Sequence, residues 1–277
     1  MAKIIQKEQL SEHVIRFRLN APRIAKKRLA GQFIILRHSE GSERIPLTIA
    51  NADTKNGWIE IIFQTVGKGT RLLGQMNIGD DILDVAGPLG KPTHIEKFGR
   101  CLCVGGGVGI APLYPIVRAL HEAGNTVTVV LGARTKDLMI LEKDMQHFAD
   151  SVIPVTDDGS YGIQGKVTDA IMSLFEHGEC FDAAFVIGPA IMMKMTTQLT
   201  LAHHVPTVAS LNPIMIDGTG MCGGCRVTVD GETKFACVDG PEFDAAGIDW
   251  DGLIRRLNGY KEFETEKLSH HCKLEEM

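Results

Sequence analysis

The residues best equipped for chemistry lie in one short run, Asp217-Gly-Thr-Gly-Met-Cys222-Gly-Gly-Cys225, with Cys237 following at a distance. Thiolates spaced x4 and x2, with a remote fourth ligand, hold [2Fe-2S] clusters, and here Asp217 stands where the first thiolate would. Glycines suit such a loop, because it must wrap closely round the sulfurs with its N–H groups turned inward and little room for Cβ atoms. Three thiolates and a carboxylate would also satisfy the tetrahedral demand of zinc, and a glycine turn needs no metal at all. The x4, x2 spacing suits the cluster better than it suits zinc. As a cluster ligand, Asp217 would set a hard oxygen among soft sulfurs and make the reduction potential depend on the protonation of the carboxylate.

A second run, Gly105-Gly-Gly-Val-Gly109-Ile-Ala-Pro-Leu113, follows a buried-type strand and opens a helix. Glycines there let a backbone approach a pyrophosphate while the helix N-terminus offers free N–H groups to its charge. The spacing departs from G-x-G-x-x-G, and the same turn could join a strand to a helix with no ligand. A third group combines Arg44-Ile-Pro-Leu-Thr48 with Gln64-Thr-Val-Gly-Lys-Gly69-Thr70. The even separation of Arg44 and Thr48 puts both on one face of a strand, where a cation and a hydroxyl could hold another phosphate. Taken singly, Arg44 reads as a surface cation and the Gly-Thr pair as a capped turn.

The elements that must position these groups come in two rhythms. Strand-length runs at 13–19, 32–37, 45–50, 58–64 and 82–86, separated by turn signals such as Asn56-Gly57 and Gly79-Asp80, predict an antiparallel barrel with a short helix at 70–76. From residue 99 strands at 100–104, 127–132, 152–155 and 183–187 alternate with helices at 111–123, 142–149, 166–176 and 190–203, which predicts a doubly wound parallel sheet. The expected domains are therefore 1–98, 99–210 and 211–277, the last a small lobe organised by something other than hydrophobic burial.

Composition narrows the setting. The 277 residues are 44% hydrophobic and 23% charged, which excludes disorder and collagen. Seven cysteines, two of them at x2 spacing, are not a secreted disulfide framework, and neither a signal-peptide pattern nor a membrane-length apolar run occurs. A cytoplasmic protein is expected. The formal charge of −5, with no basic aromatic-interleaved segment, argues against nucleic acid as a partner.

The order of these motifs, continued by Asp157-Asp158-Gly159-Ser and Gly188-Pro189-Ala-Ile-Met-Met, resembles the ferredoxin-NADP reductase superfamily. With D-x4-C-x2-C-x11-C at the end, it looks like the subgroup of electron-transfer subunits found in dihydroorotate dehydrogenase and in NADH-dependent reduced ferredoxin:NADP oxidoreductase. The dihydroorotate type carries four cysteines, whereas the other carries Asp first, as here; the tail from Trp250 is also similar to that group. The resemblance implies an N-terminal antiparallel FAD-binding β-barrel, a Rossmann-like α/β domain with a parallel sheet for NAD(H), and a C-terminal [2Fe-2S] lobe. It implies FAD contacts at Arg44, Pro46, Leu47, Thr48, Gln64, Gly69 and Thr70. The NAD contacts it implies are Gly105, Gly106, Gly107, Gly109 and Ala111, with Asp157, Asp158, Gly159, Gly188 and Pro189 near the dinucleotide. The cluster ligands would be Asp217, Cys222, Cys225 and Cys237. A larger flavin and iron–sulfur partner subunit, ferredoxin reached through it, and electron bifurcation are further implications. Many relatives have Cys before the Gly-Pro pair, where this chain has Ile187, so no thiol acts there.

Other reactive residues read as bland. Cys101 and Cys103, two apart on a strand, are expected to be buried inert thiols. Cys180 has no metal-spaced neighbour, and His270-His271-Cys272 belong to a solvated tail. Met192, Met193 and Met195 are expected to pack, with dinucleotide contact as the alternative. Arg134 and Lys136, where an acidic residue would favour NAD, leave NADP open.

Overall fold

The computed structural model describes residues 1–259 and 263. Its first part is a curled antiparallel sheet of β1 (Ala2–Ser11), β2 (Val14–Asn20), β3 (Phe33–Arg37), β4 (Ile45–Asp53), β5 (Trp58–Gln64), β6 (Asp81–Ile82) and β7 (Asp84–Leu89), with helices α1 (Pro22–Lys27) and α2 (Lys68–Gln75) between strands. The strands pair in the order β6-β1-β2-β5-β4-β3-β7. Only Leu83 separates the two edge strands, so the sheet has to roll almost closed into a barrel. The expected strand at 82–86 is thus two strands meeting at a corner.

The alternation in β2 works as expected: Ile15, Phe17 and Leu19 fill the barrel with Ile34, Leu36, Ile49, Ile59 and Phe63, and the Phe17 and Phe63 rings meet edge-on at 5.2 Å. The unbroken apolar run in β5 has a different cause. Ile61 and Phe63 face the barrel interior, while Ile62, with Val14 and Ala50, faces outward into a core shared with the next domain. β1 escapes the sequence reading because beyond Ile4 it carries Gln, Lys and Glu on an open flank.

The second part comprises β8 (Arg100–Gly106), α3 (Ile110–Glu122), β9 (Thr126–Ala133), α4 (Glu142–Met145), β10 (Ser151–Thr156), β11 (Ile163–Gln164), α5 (Val167–Glu176), β12 (Ala183–Ile187), α6 (Ala190–Ala202) and β13 (Thr207–Ser210). These strands pair in the order β11-β10-β9-β8-β12-β13, all parallel. The chain builds outward from β8 in one direction and then returns to add β12 on its other side. That reversal opens a crevice beyond the C-terminal ends of β8 and β12, the place where doubly wound sheets receive ligands. Helix α4 is shorter than the expected 142–149 helix, which ends in turns.

The third part holds β14 (Arg226–Val229), β15 (Glu232–Phe235), β16 (Glu242–Asp244) and α7 (Trp250–Asn258). Asp230 and Gly231 turn the β14–β15 hairpin with φ of 52° and 75°, the pair of left-handed residues that a tight two-residue hairpin needs. Here the sequence expectation is corrected. Val227, Val229, Ile248, Trp250 and Leu253 bury into the same core as Val104 and Val130 of the parallel sheet, so ordinary hydrophobic burial anchors the lobe. β16 also extends that sheet by a seventh strand, pairing antiparallel with β13. At the junction of all three parts, the Thr93 hydroxyl donates to Glu242 Oε1 at 2.8 Å.

Candidate functional site

The crevice at the strand reversal continues into a cleft of about 960 Å³ between barrel and sheet, at the upper end of the range that binds sizeable organic ligands. Its barrel wall is Pro46, Leu47 and Thr48 of β4, Gln64 at the end of β5, and Thr70 of α2. Its sheet wall is Gly106, Gly107, Gly109 and Ala111 after β8, and Gly188 and Pro189 after β12, with Asp157 beyond β10. Arg44, Gly69, Gly105, Asp158 and Gly159 are not part of this lining. Arg44 is exposed and precedes β4; Gly69 is buried against Glu43 and Ile45. Asp158 accepts hydrogen bonds from Ser160, which hold its carboxyl below the ordinary range.

The glycines after β8 do different jobs. A Cβ on Gly109 would stand 2.7 Å from both Gly188 Cα and Ile187 O, so this glycine lets the two loops touch. Gly107, at φ +57°, has open space where a Cβ would point, which makes it the position of the run that presents bare backbone to a ligand. No side chain caps the 3-10 turn from Gly107 or the start of α3, nor the start of α6 after Pro189. First-turn N–H groups are therefore left for an anion in the cleft. On the barrel side, Thr70 Oγ1 accepts from Gly67 N–H and donates to Gly67 O, both at 3.1 Å, fixing the first turn of α2.

Twelve of the residues expected to contact FAD or the dinucleotide line the cleft; sequence reasoning missed Lys166, Thr168, Ser210 and Asn212, which also line it. Lys166 pairs with Asp157 at 2.8 Å. Lys166 and Thr168 stand at the start of α5, Ser210 ends β13 and Asn212 follows it; none has motif spacing, so only the fold could gather them. Of the two cations following β9, Arg134 lines the cleft, whereas Lys136 places its ammonium 5.3 Å over the Tyr161 ring.

On the far side of β3 lies the cysteine loop. Phe33 and Ile35, the outward residues of β3, pack with Met215, Cys225, Ala236 and Cys237. Cys225 and Cys237 are buried with their sulfurs 3.2 Å apart, and Cys237 N–H points at Cys225 Sγ at 3.5 Å. Cys222 is exposed, and its sulfur accepts from Gly224 N–H at 3.4 Å. Gly218, Gly220 and Gly223 all have φ between 67° and 83°, the left-handed backbone that turns successive N–H groups inward. The Asp217 carboxylate accepts from Thr219 N–H and Cys222 N–H, both at 2.9 Å, and these backbone bonds, Thr219 foremost, hold it below the ordinary carboxylate range. Among the described residues no three His, Cys, Asp or Glu side chains converge on one point as a single metal ion needs. A two-iron cluster takes its ligands in pairs. Cys225 and Cys237 make one such pair, and Asp217 is tied through its hydrogen bond to Cys222, so the loop fits a cluster better than zinc.

Among the described residues three thiols, Cys101, Cys103 and Cys180, lie away from this loop. Burial pushes Cys101 up to about 11 and Cys103 well above the ordinary range; Cys180 is exposed and only approaches Gly178 O. His270, His271 and Cys272 lie outside the described residues. Among the described residues no helix is long and apolar enough to cross a membrane.

Comparison with known proteins agrees with this geometry. An oxidoreductase FAD-binding domain family matches residues 1–94, an oxidoreductase NAD-binding domain family residues 103–198, and the iron-sulfur cluster binding domain of dihydroorotate dehydrogenase B residues 212–249. A dihydroorotate dehydrogenase B (NAD(+)) electron transfer subunit homolog of Thermotoga maritima is 50% identical, with 97% of this chain and 94% of the relative covered. The corresponding subunit of Geobacillus thermodenitrificans is 35% identical over 88% of this chain and 96% of its own. Among solved structures, a chain of the NADH-dependent reduced ferredoxin-NADP oxidoreductase, described in terms of flavin-based electron bifurcation, superposes with TM-score 0.91 at 47% identity and 98% coverage of both chains. The cytochrome b5 reductase domain of Ulva prolifera nitrate reductase, at 18% identity and TM-score 0.57 over 70% of this chain and 88% of its own, shares the fold alone. The chain belongs to the family of dihydroorotate dehydrogenase B-type electron transfer subunits, oxidoreductases that join FAD-binding, NAD-binding and iron–sulfur domains in one polypeptide.

Proposed function

We propose that this chain is the electron-transfer subunit of a heteromeric ferredoxin:NADP oxidoreductase, working between NAD(H), FAD, a [2Fe-2S] cluster and a larger flavin and iron–sulfur partner through which ferredoxin is reached. The observation that carries the reading is the single strand β3 between the two sites: Pro46 in the cleft wall pairs with Ile35, and Ile35 packs against the cysteine loop. The flavin, when bound, supplies the exchange between a two-electron hydride donor and one-electron acceptors.

The protein's own contribution is position and field. Pro46, Leu47 and Thr48 with Gln64 and Thr70 would hold the flavin side, assisted by Arg44 and Gly69 just outside the wall. Gly106, Gly107, Gly109 and Ala111 would take the dinucleotide pyrophosphate on backbone N–H groups, with Gly105 shaping the turn. Asp157, Asp158, Gly159, Gly188 and Pro189 would border the rest of the dinucleotide. Cys222, Cys225 and Cys237 would ligate the cluster, with Asp217 as the fourth ligand. The boundaries proposed for these three units are 1–98, 99–210 and 211–277, in a cytoplasmic protein.

Match to the dihydroorotate dehydrogenase B iron–sulfur family supports a second reading, the electron-transfer subunit of that enzyme; Asp217 in place of a first cysteine counts against it. Anaerobic co-purification separates them. A partner with its own flavin and [4Fe-4S] clusters supports the first reading, a dihydroorotate-oxidising partner the second, and a colourless chain with one zinc and no flavin refutes both.

A further inference from the structure

The last turn of α7 reaches back to the cysteine loop. Trp250 and Leu253 bury the helix in the sheet core with Leu257 packed beside them, and Lys194 of α6 pairs with Asp251 at 2.7 Å, so α7 is fixed from two directions. Arg255 and Arg256 stand in its last turn. Arg255 is exposed. Arg256 is half-buried, and its guanidinium donates to Gly224 O at 3.0 Å, a contact made across 32 residues of sequence.

Gly224 lies between Cys222 and Cys225, and arginines hold the peptides on both sides of it. Its N–H donates to Cys222 Sγ at 3.4 Å, while the carbonyl of that same peptide, Gly223 O, accepts from Arg226 at 3.1 Å. Arg226 is exposed and only three residues from its acceptor, so this is a local contact. The Gly224 carbonyl belongs to the next peptide, whose other end is the Cys225 N–H. In a planar trans peptide the two groups point in opposite directions, so the guanidinium on Gly224 O also sets the direction of the Cys225 N–H. Hydrogen bonds from a charged donor are roughly twice as strong as neutral ones.

The potential of an iron–sulfur cluster follows the charge and the hydrogen bonds around its sulfurs. Reduction adds one electron, delivered in turnover by the flavin, so a fixed cation beside the loop favours the reduced form. We infer that Arg256 is a positioning residue for the [2Fe-2S] cluster: it holds the Gly224–Cys225 peptide and raises the cluster's reduction potential. This rests on the reading of the cysteine loop as a cluster site. Water and salt screen the exposed Arg226 and Arg255 more than the half-buried Arg256, which makes Arg256 the cation that the cluster feels most.

The test is an anaerobic redox titration of the full-length protein in complex with its partner. Dithionite is the reductant, and the cluster is read from its own EPR signal at temperatures where [4Fe-4S] signals have broadened away. Arg256→Gln is expected to keep its iron and to lower the reduced-to-oxidised ratio of the cluster, at fixed ambient potential, at least threefold, which is about 28 mV at 59 mV per tenfold for one electron. Arg256→Lys, which keeps the charge, is expected to stay within twofold of wild type. So is Arg255→Gln, which removes the same charge from an exposed position in the same turn. A smaller change in an iron-loaded Arg256→Gln protein overturns the inference, as does an equal shift from Arg255→Gln. Should the Gln variant lose its iron, the Lys variant decides: iron retained with a ratio within twofold of wild type upholds the inference, and iron lost or a larger shift overturns it. A wild-type complex with no [2Fe-2S] signal overturns the cluster reading and the inference with it.

Discussion

Replacing Glu242 by Gln tests whether the joint between barrel, sheet and lobe is as dry as its geometry implies. Burial pushes the Glu242 carboxyl up to about 7 from an ordinary 4.5, against the opposing effect of the Thr93 hydroxyl bond. In the unfolded chain the group loses its proton near 4.5, whereas the folded protein keeps it until about 7. Between those values the folded state binds more protons, so stability falls as pH rises and the whole penalty is present above 7. At 1.36 kcal/mol per pH unit the ceiling on that penalty is about 3 kcal/mol. Gln keeps an oxygen to accept from Thr93 and carries no charge to desolvate. For a chain of this size 1 kcal/mol moves the melting temperature by roughly 2–4 °C, so Glu242→Gln should melt several degrees above wild type at pH 8 and level with it near pH 4.5. Differential scanning calorimetry of both proteins at matched cofactor content between pH 4.5 and 8.5 reads this directly. Melting curves that stay parallel across the range would refute the reasoning, since a solvated carboxylate would produce that pattern.

Other expectations follow from the same geometry. Gly109→Ala drives a methyl into Gly188 Cα and Ile187 O, so it should destabilise the protein by about 1–3 kcal/mol and weaken NADH binding; urea denaturation checks the first and equilibrium dialysis the second. Cys225→Ser should remove most of the iron, measured by colorimetric assay, while Cys103→Ser leaves iron content unchanged because its thiol sits in the sheet core. If Asp217 ligates the cluster, Asp217→Cys should change the visible spectrum and lower the midpoint potential's dependence on pH in an anaerobic redox titration; identical spectra and potentials would remove Asp217 from the ligand set.

Much of this architecture is written in short-range signals. The alternation of Ile15, Phe17 and Leu19 specifies a barrel face, and the run at Gly105 to Gly109 marks the strand-to-helix turn that faces the cleft. The x4, x2 spacing after Asp217 likewise announces a ligand loop within nine consecutive residues. What stayed hidden depends on long-range pairing. β16 becomes a strand because β13 offers it an edge, and Phe243 alone between acidic neighbours gives no period to read. The Asp230-Gly231 hairpin went unread in the sequence, and the burial of Val227 and Val229 depends on a sheet whose central strands lie about a hundred residues upstream in the chain. Ser210 and Asn212 reach the cleft through the path of the chain at and after the end of β13.

The lobe is held on two sides, by backbone pairing of β16 to β13 and by the packing of Phe33 and Ile35 on the cysteine loop. The same β3 that carries Ile35 against the cysteine loop pairs through Ile35 with Pro46 of the cleft wall. In the proposed function the two ends of one strand pair are therefore where regulation is expected, through what occupies the cleft or what docks beside the exposed Cys222.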